Sequence, residues 1–267
     1  MDVPAVVLAI VLAETAVGGL ALTWLAPTWG KVRHGYEILQ ASTLVAMLWG
    51  AWASMRTPLS VLADTADAAT VTRADLLGTL LLVATIVGAL SIVALIARAP
   101  AVARVLGVAS AAIGLASFVP LAMLRGGGGA ELALGLAELL LGSFLLGAIW
   151  VGMVLGHWYL VERRLSNRYM VWIAWVNVAA VVAGLGAVLL SLRNPVPASV
   201  SFSPILSIGQ MTVVLGVGVL GLIALIAYFN VRLANEGGRS IQASTGMFYL
   251  AVILAPAAEF AAKVRFF

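Results

Sequence analysis

Residues 3–26 read VPAVVLAIVLAETAVGGLALTWLA. Apart from Glu14 the stretch is apolar or small, and nothing in it turns the chain before Pro27. A hydrocarbon core about 30 Å thick asks for a helix of about 20 such residues, so this segment reads as a membrane span. Seven more stretches of the same kind follow, at roughly 34–55, 75–97, 101–124, 132–162, 167–192, 206–233 and 239–264. Turn formers separate most of them: Pro27 to Gly30, Arg98-Ala99-Pro100, Gly126 to Gly129, Asn194 to Pro197 and Glu236-Gly237-Gly238. The expected fold is therefore all-α: a polytopic transmembrane helix bundle of about eight spans.

Composition agrees. Of 267 residues, 63% are hydrophobic and 10% charged, whereas a soluble domain carries about 25% charged residues. The absence of cysteine excludes disulfides, thiolate metal sites, iron–sulfur ligation and covalent c-type haem. A net charge of +4 without a basic cluster argues against a nucleic-acid partner and for loops that face lipid headgroups. Residues 1–10 have no basic leader, so the first apolar run is expected to be a span rather than a cleaved signal. Residues 56–74, with Asp64 and Asp67, read as a long connection with a short surface helix. Residues 193–205 read as a Pro- and Ser-rich loop.

Basic residues set the expected orientation. The first, third, fifth and seventh connections carry nine: Lys31, Arg33, Arg98, Arg104, Arg163, Arg164, Arg168, Arg232 and Arg239. The opposite side carries six: Arg56, Arg73, Arg125, Arg193, Lys263 and Arg265. Both termini are thus expected outside, in a bacterial cytoplasmic (inner) membrane.

The halves of the chain resemble each other. Leu12-Ala13-Glu14 with Gly18 in the first span matches Leu136-Ala137-Glu138 with Gly142 in the fifth. Met55-Arg56-Thr57-Pro58 matches Leu192-Arg193-Asn194-Pro195. The fourth and eighth spans open with Arg104 and Arg239 and carry Pro120 and Pro256 near their far ends. This pattern suggests two parallel four-helix repeats, 1–125 and 126–267, related about an axis along the membrane normal.

Ionisable side chains inside spans are costly, roughly 2.5–3.5 kcal/mol each at a helix centre, and usually have a partner or a task. Glu14, Glu138 and Glu259 are the candidates, as a proton-accepting cluster or the polar wall of a pocket. The competing reading makes them neutral, hydrogen-bonded packing residues, with Glu259 in a surface ion pair with Lys263 four residues on. The two histidines, His34 and His157, fall near the opposite membrane boundary. Around them lie Arg33, Tyr36 and Glu37, and Trp158, Tyr159, Arg163 and Arg164. Three readings stand open. His34 and His157 could ligate the iron of one haem b, with arginines on its propionates. A quinone could use the same residues together with Tyr159, Arg164 and Gln242, which begins the eighth span on that side. Or the imidazoles bond only headgroups and loop carbonyls. Trp24, Trp29 and Trp158 are expected in interfacial belts, Trp172 and Trp175 in the packing, and Gln210 in helix–helix hydrogen bonding.

Two four-helix units in eight spans, with Glu14 followed by Gly18 and Gly19, resemble the quinol-reactive membrane anchors of respiratory molybdenum oxidoreductases of the polysulfide and dimethyl-sulfoxide reductase type. The local likeness covers one helix. It implies a quinone pocket in one bundle and docking of an iron–sulfur subunit at one face. The expected function is thus a membrane subunit of a respiratory or photosynthetic electron-transfer complex. It would bind quinone, haem b or both and exchange electrons with partner subunits, as a quinone-reactive or a non-catalytic part of an oxidoreductase. The alternatives are a small proton- or cation-coupled transporter and a purely structural subunit of a larger complex.

Overall fold

The computed structural model describes residues 3–126, 128–162, 164–195 and 209–266, without the side chains of residues 3, 65 and 209–212. Among these residues there are eight helices and no strand: α1 (Val3–Leu25), α2 (His34–Thr65), α3 (Ala68–Ile96), α4 (Pro100–Leu124), α5 (Gly129–Val161), α6 (Arg168–Ser191), α7 (Gly209–Glu236) and α8 (Ser240–Lys263). All eight are long and apolar enough to cross a bilayer. Their outward faces stay apolar: Val105, Val182 and Ile253 are 68–70% exposed, as suits a lipid-facing surface. The loop expected at 193–205 falls mostly, and the side chain of Gln210 wholly, outside the described residues, as does Arg163.

The expected long connection at 56–74 is instead helical. α2 runs through Pro58 to Thr65, and α3 begins three residues later at Ala68. Packing and capping explain this. Met55 and Pro58 are buried, and Leu59 lies against Gly78 of α3. Asp67 caps α3, accepting a hydrogen bond from Thr70 N–H at 3.1 Å. The Thr70 hydroxyl and amide hold this exposed carboxyl below the usual Asp value. Since α2 does not end at Arg56, the likeness between residues 55–58 and 192–195 does not mark equivalent helix ends.

Each run of four helices closes on itself. α1, α2, α3 and α4 pack in sequence and α4 returns to α1; α5 to α8 do the same, with α8 returning to α5. α1 and α5 form the main seam between the two rings. Glycine makes that seam possible. A Cβ on Gly18 would lie 1.9 Å from the Ser143 carbonyl oxygen, and one on Gly147 would lie 2.3 Å from the Gly18 carbonyl carbon. The two backbones are therefore in direct contact, the arrangement small residues permit between membrane helices. Glu14 meets Ser143 and Gly18 meets Gly147, so α1 and α5 run parallel.

Two tryptophans depart from the belt pattern. Trp24 is fully buried against Gly107 of α4, where a Cβ would come within 2.0 Å of its ring. Trp175, expected in the packing, is 57% exposed. Spacing along a helix gives depth; which side a residue faces depends on the neighbour.

Candidate functional site: a buried carboxylate–lysine cluster at the seam

α1 carries Glu14 near its middle, α5 carries Glu138 nine residues from its start, and α8 carries Glu259 and Lys263 one turn apart near its end. The seam brings all four side chains together. Lys263 Nζ lies 3.0 Å from Glu14 Oε1, 3.3 Å from Glu138 Oε1 and 3.4 Å from Glu259 Oε2. All four side chains are at most 1% exposed. The pairing of Glu259 with Lys263 is thus real but buried, which corrects the surface reading. The ammonium also lies within 3.4 Å of the Glu138 backbone oxygen.

Gly142 gives the acids their room: a Cβ there would lie 2.7 Å from Glu14 Oε1 and 2.8 Å from Glu259 Oε2. Ser143, the next residue, donates its hydroxyl to the Glu14 carbonyl at 3.0 Å. Gly142→Ala is therefore expected to push the Glu14 and Glu259 carboxylates off Lys263 and to cost about 1–3 kcal/mol, the usual range for overpacking a dense core. A lowered thermal unfolding midpoint in detergent checks this.

A second layer closes the side toward the termini. Arg125, at the end of α4, lies 3.7 Å from Glu138 Oε2 through Nη1. Its Nη2 donates to Asn194 Oδ1 and lies 3.5 Å from the exposed Glu131. Asn194 Nδ2 donates to Glu138 Oε2 at 3.2 Å, and Arg265 Nη2 donates to the Asn194 carbonyl at 2.6 Å. The Phe266 ring lies beneath both Arg125 and Lys263.

Charge counting defines the chemistry. Three carboxylates are in direct contact with one ammonium and one guanidinium, while the third buried cation, Arg265, reaches the group only through the Asn194 carbonyl, so the acids outnumber the cations that touch them by one. Burying an unpaired charge costs several kcal/mol, so a proton held within the group is the least costly way to balance it. Among the described residues, Glu14 Oε2 and Glu259 Oε1 have no hydrogen-bond partner, and the ion-paired Glu14 Oε1 and Glu259 Oε2 lack hydrogen-bond geometry as well. These are acceptors to which a proton can go. Among the described residues, no group of three or more His, Asp and Glu side chains has metal-ligating geometry.

The other expected residues lie near the opposite face and do not join this cluster. His34, whose side chain is 42% exposed, opens α2 with Nδ1 3.8 Å from Glu37 Oε2. Glu37 also accepts from Gly30 N–H at 2.8 Å. His157 on α5 shares a 2.7 Å hydrogen bond with Tyr249 of α8. The two imidazoles thus have different partners on different helices. Arg33 pairs with Glu162 at 2.7 Å, and Arg164 is exposed. Tyr159 and Gln242 line one cavity of about 290 Å³ together with Asn167 and Arg239.

Sequence reasoning named all three acids but counted Lys263, Arg125 and Arg265 as loop charges and left Asn194 as a turn residue. The i,i+4 spacing of Glu259 and Lys263 was the one local signal for the lysine. Nothing local marks Arg125 or Asn194, whose partners lie 69 and 56 residues away.

No family model, no curated protein and no solved structure matches this chain.

Proposed function

We propose that this chain is a proton-handling integral membrane subunit of an electron-transfer complex, in which Glu14, Glu138 and Glu259 around Lys263 take up and release a proton delivered by a quinol. The observation that carries the reading is the buried cluster itself, in which three acids are in direct contact with only two cations. A second feature favours a lipid-soluble proton donor over one from water. An apolar groove of about 230 Å³, lined by Gly18, Leu22, Leu115, Ser143, Phe144 and Trp172, lies along the seam between the two rings. Ser143, which lines it, donates its hydroxyl to the Glu14 backbone carbonyl and adjoins Gly142, whose position abuts the Glu14 and Glu259 carboxylates. A ring and isoprenoid tail suit such a groove, and a carboxylate behind it suits proton acceptance.

When bound, quinol supplies two electrons and two protons. The chain's share is to hold the ring near Ser143 and to receive the two protons in turn on the cluster, the first being passed on before the second is taken. The electrons pass to a cofactor or to a partner chain. In the same reading haem b would be held by His34 and His157 through Nε2, because their Nδ1 atoms face Glu37 and Tyr249.

Proton-coupled transport is the second reading. It is favoured by one fact: Glu14 and Glu138, on different four-helix rings, share a single ammonium, so a rocking motion at the seam would separate them.

Purification in mild detergent tests both. Co-extracted quinone and copurifying redox subunits are expected. Glu14→Gln and Glu138→Gln are expected to lower quinol turnover about 10²-fold or more, the usual loss when a proton acceptor is removed. A reduced-minus-oxidised haem b spectrum lost in both His34→Ala and His157→Ala would add haem. Folded protein that carries neither quinone nor partner, but moves protons in liposomes with Glu14→Gln inactive, would replace the redox reading with transport. Glu→Gln variants that work normally in either assay would reduce the cluster to a structural clasp.

A further inference from the structure

The cluster is not placed symmetrically between the two faces of the molecule. Toward the face that carries the termini, a chain of short contacts runs outward. Lys263 lies 3.3 Å from Glu138, Glu138 lies 3.7 Å from Arg125, and Arg125 lies 3.5 Å from Glu131. Glu131 is 51% exposed and Arg125 13%. Asn194 bonds both Glu138 and Arg125 and is itself fastened by Arg265.

Toward the opposite face no such chain exists among the described residues. Eleven residues, about 16 Å at 1.5 Å per residue, separate Glu14 from the end of α1 at Leu25. The surrounding side chains Val17, Leu20, Leu44, Leu48, Leu145 and Ile149 are apolar and at 0% exposure. The hydroxyls of Thr15 and Thr23 donate to carbonyls of their own helix. Gln40 of α2 and Asn177 of α6 are buried, with amides that make no hydrogen bond to one another or to the cluster, and the next carboxyl, Glu37, is tied to Gly30 at the far end. Gly18 and Gly147 hold the two seam backbones in contact, which leaves no width for water between them.

We infer that the cluster releases its proton to water on the terminus-bearing face alone, through a plug made of Arg125 and Asn194 that ends at Glu131. This rests on the proton-handling reading above and adds its direction. Arg125 stays charged throughout, since guanidinium does not deprotonate in proteins. It is thus a gating residue and not a proton carrier. When its fork leaves Glu138 for Glu131, water reaches Glu138. The freed Glu138 oxygen takes over the proton held on Glu14 or Glu259 and gives it up to that water, which leaves all three acids as carboxylates around Lys263. Closing restores the Arg125–Glu138 contact and seals the site.

The same burial sharpens the direction of release. Lys263, Arg125 and Arg265 are used inside the protein, so they do not count as headgroup-facing charge. The terminus-bearing face then keeps only Arg56, Arg73 and Arg193 against the nine basic residues opposite, and it also carries the exposed Asp64, Asp67, Asp75 and Glu131. By the positive-inside rule that face is the outer one, and the proton is released outward.

The absence of cysteine makes single-cysteine reporters clean. Gly135→Cys places its Cβ in ordinary contact with Ala122 and the Arg125 guanidinium, both at 3.5 Å. Ala16→Cys reports just beyond Glu14 on the other side. Ser60→Cys and Ser166→Cys, both exposed, mark the two faces in vesicles. With a membrane-impermeant quaternary-ammonium methanethiosulfonate, Gly135→Cys is expected to be modified from the Ser60 side only, and Ala16→Cys from neither side. Arg125→Ala is expected to speed the Gly135→Cys reaction about tenfold or more, as losing a charge-assisted hydrogen bond shifts an opening equilibrium. Arg125→Gln, which keeps a hydrogen-bonding group opposite Asn194, replaces it if the alanine variant is not recovered and should act in the same direction. Modification of either reporter from the Ser166 side, no modification of Gly135→Cys at all, or no effect of Arg125 substitution overturns the inference. Labelling needs no turnover, so a failure of the quinol reading shows up separately, in the Glu14→Gln and Glu138→Gln assays.

Discussion

Lys263→Met is expected to be the most damaging single substitution in the protein. It would leave Glu14, Glu138 and Glu259 facing one another with no ammonium between them, in a site with no access to water. Removing one partner of a single buried ion pair costs about 3–5 kcal/mol because it strands the other charge. Here one group serves three, and each carboxylate lies within 3.4 Å of it. The three acids belong to three different helices, one of them in the other ring, so their repulsion acts across the seam rather than within one helix. The expected result is loss of folded, monodisperse protein, or a strongly lowered unfolding midpoint where some survives. The double variant Lys263→Met, Glu259→Met should recover much of the loss, since it removes a carboxylate one helical turn away and fills the space with apolar volume. If Lys263→Met is as stable as the parent, the cluster is not an energetic clasp. The charge count that supports proton handling would then fail with it.

Gly147→Leu is expected to rank second. The position has no room for any side chain: a Cβ would come within 2.3–2.8 Å of the Gly18 and Gly19 backbone. A clash with the end of a flexible side chain is relieved by a rotamer change, but one with backbone moves a helix. The two rings would have to separate along α1 and α5, at a cost above the roughly 1–3 kcal/mol of ordinary overpacking. The acids would separate too, so under the proposed function quinol turnover should fall along with stability. Gly147→Ala should show the same direction with a smaller effect. Gly221 on α7 and Gly246 on α8 are controls, because a Cβ at either meets nothing within 4 Å. Alanine there should be neutral or stabilising by up to about 1 kcal/mol, the helix-propensity difference. Equal outcomes at Gly147 and Gly246 would mean that backbone contact at the seam is not what joins the rings.

Together these two substitutions separate what holds the rings from what the site does. The glycine contact is geometric and indifferent to pH. The lysine contact is electrostatic and is tied to the charge state of three acids. A protein built only to scaffold a larger complex would have little use for so costly an arrangement when well-packed apolar residues would serve as well. That imbalance between cost and structural need is the general argument for reading the cluster as a working centre.

What the sequence determined by itself are the properties that belong to one segment at a time. The cost of placing residues 3–26 in hydrocarbon depends on that segment alone, so the spans, their number and the breakers between them were legible. The same one-segment cost singled out Glu14, Glu138 and Glu259. Only the tertiary structure decided what depends on two segments meeting. It turned Lys263 and Arg125 from loop charges into the acids' partners, brought in Asn194 from beyond α6, buried Trp24, turned Trp175 outward and carried α2 past Pro58. Each of these follows from which helix faces come into contact, and along α1 and α5 that is decided by glycines, whose lack of a side chain gives no signal until the opposing backbone is known.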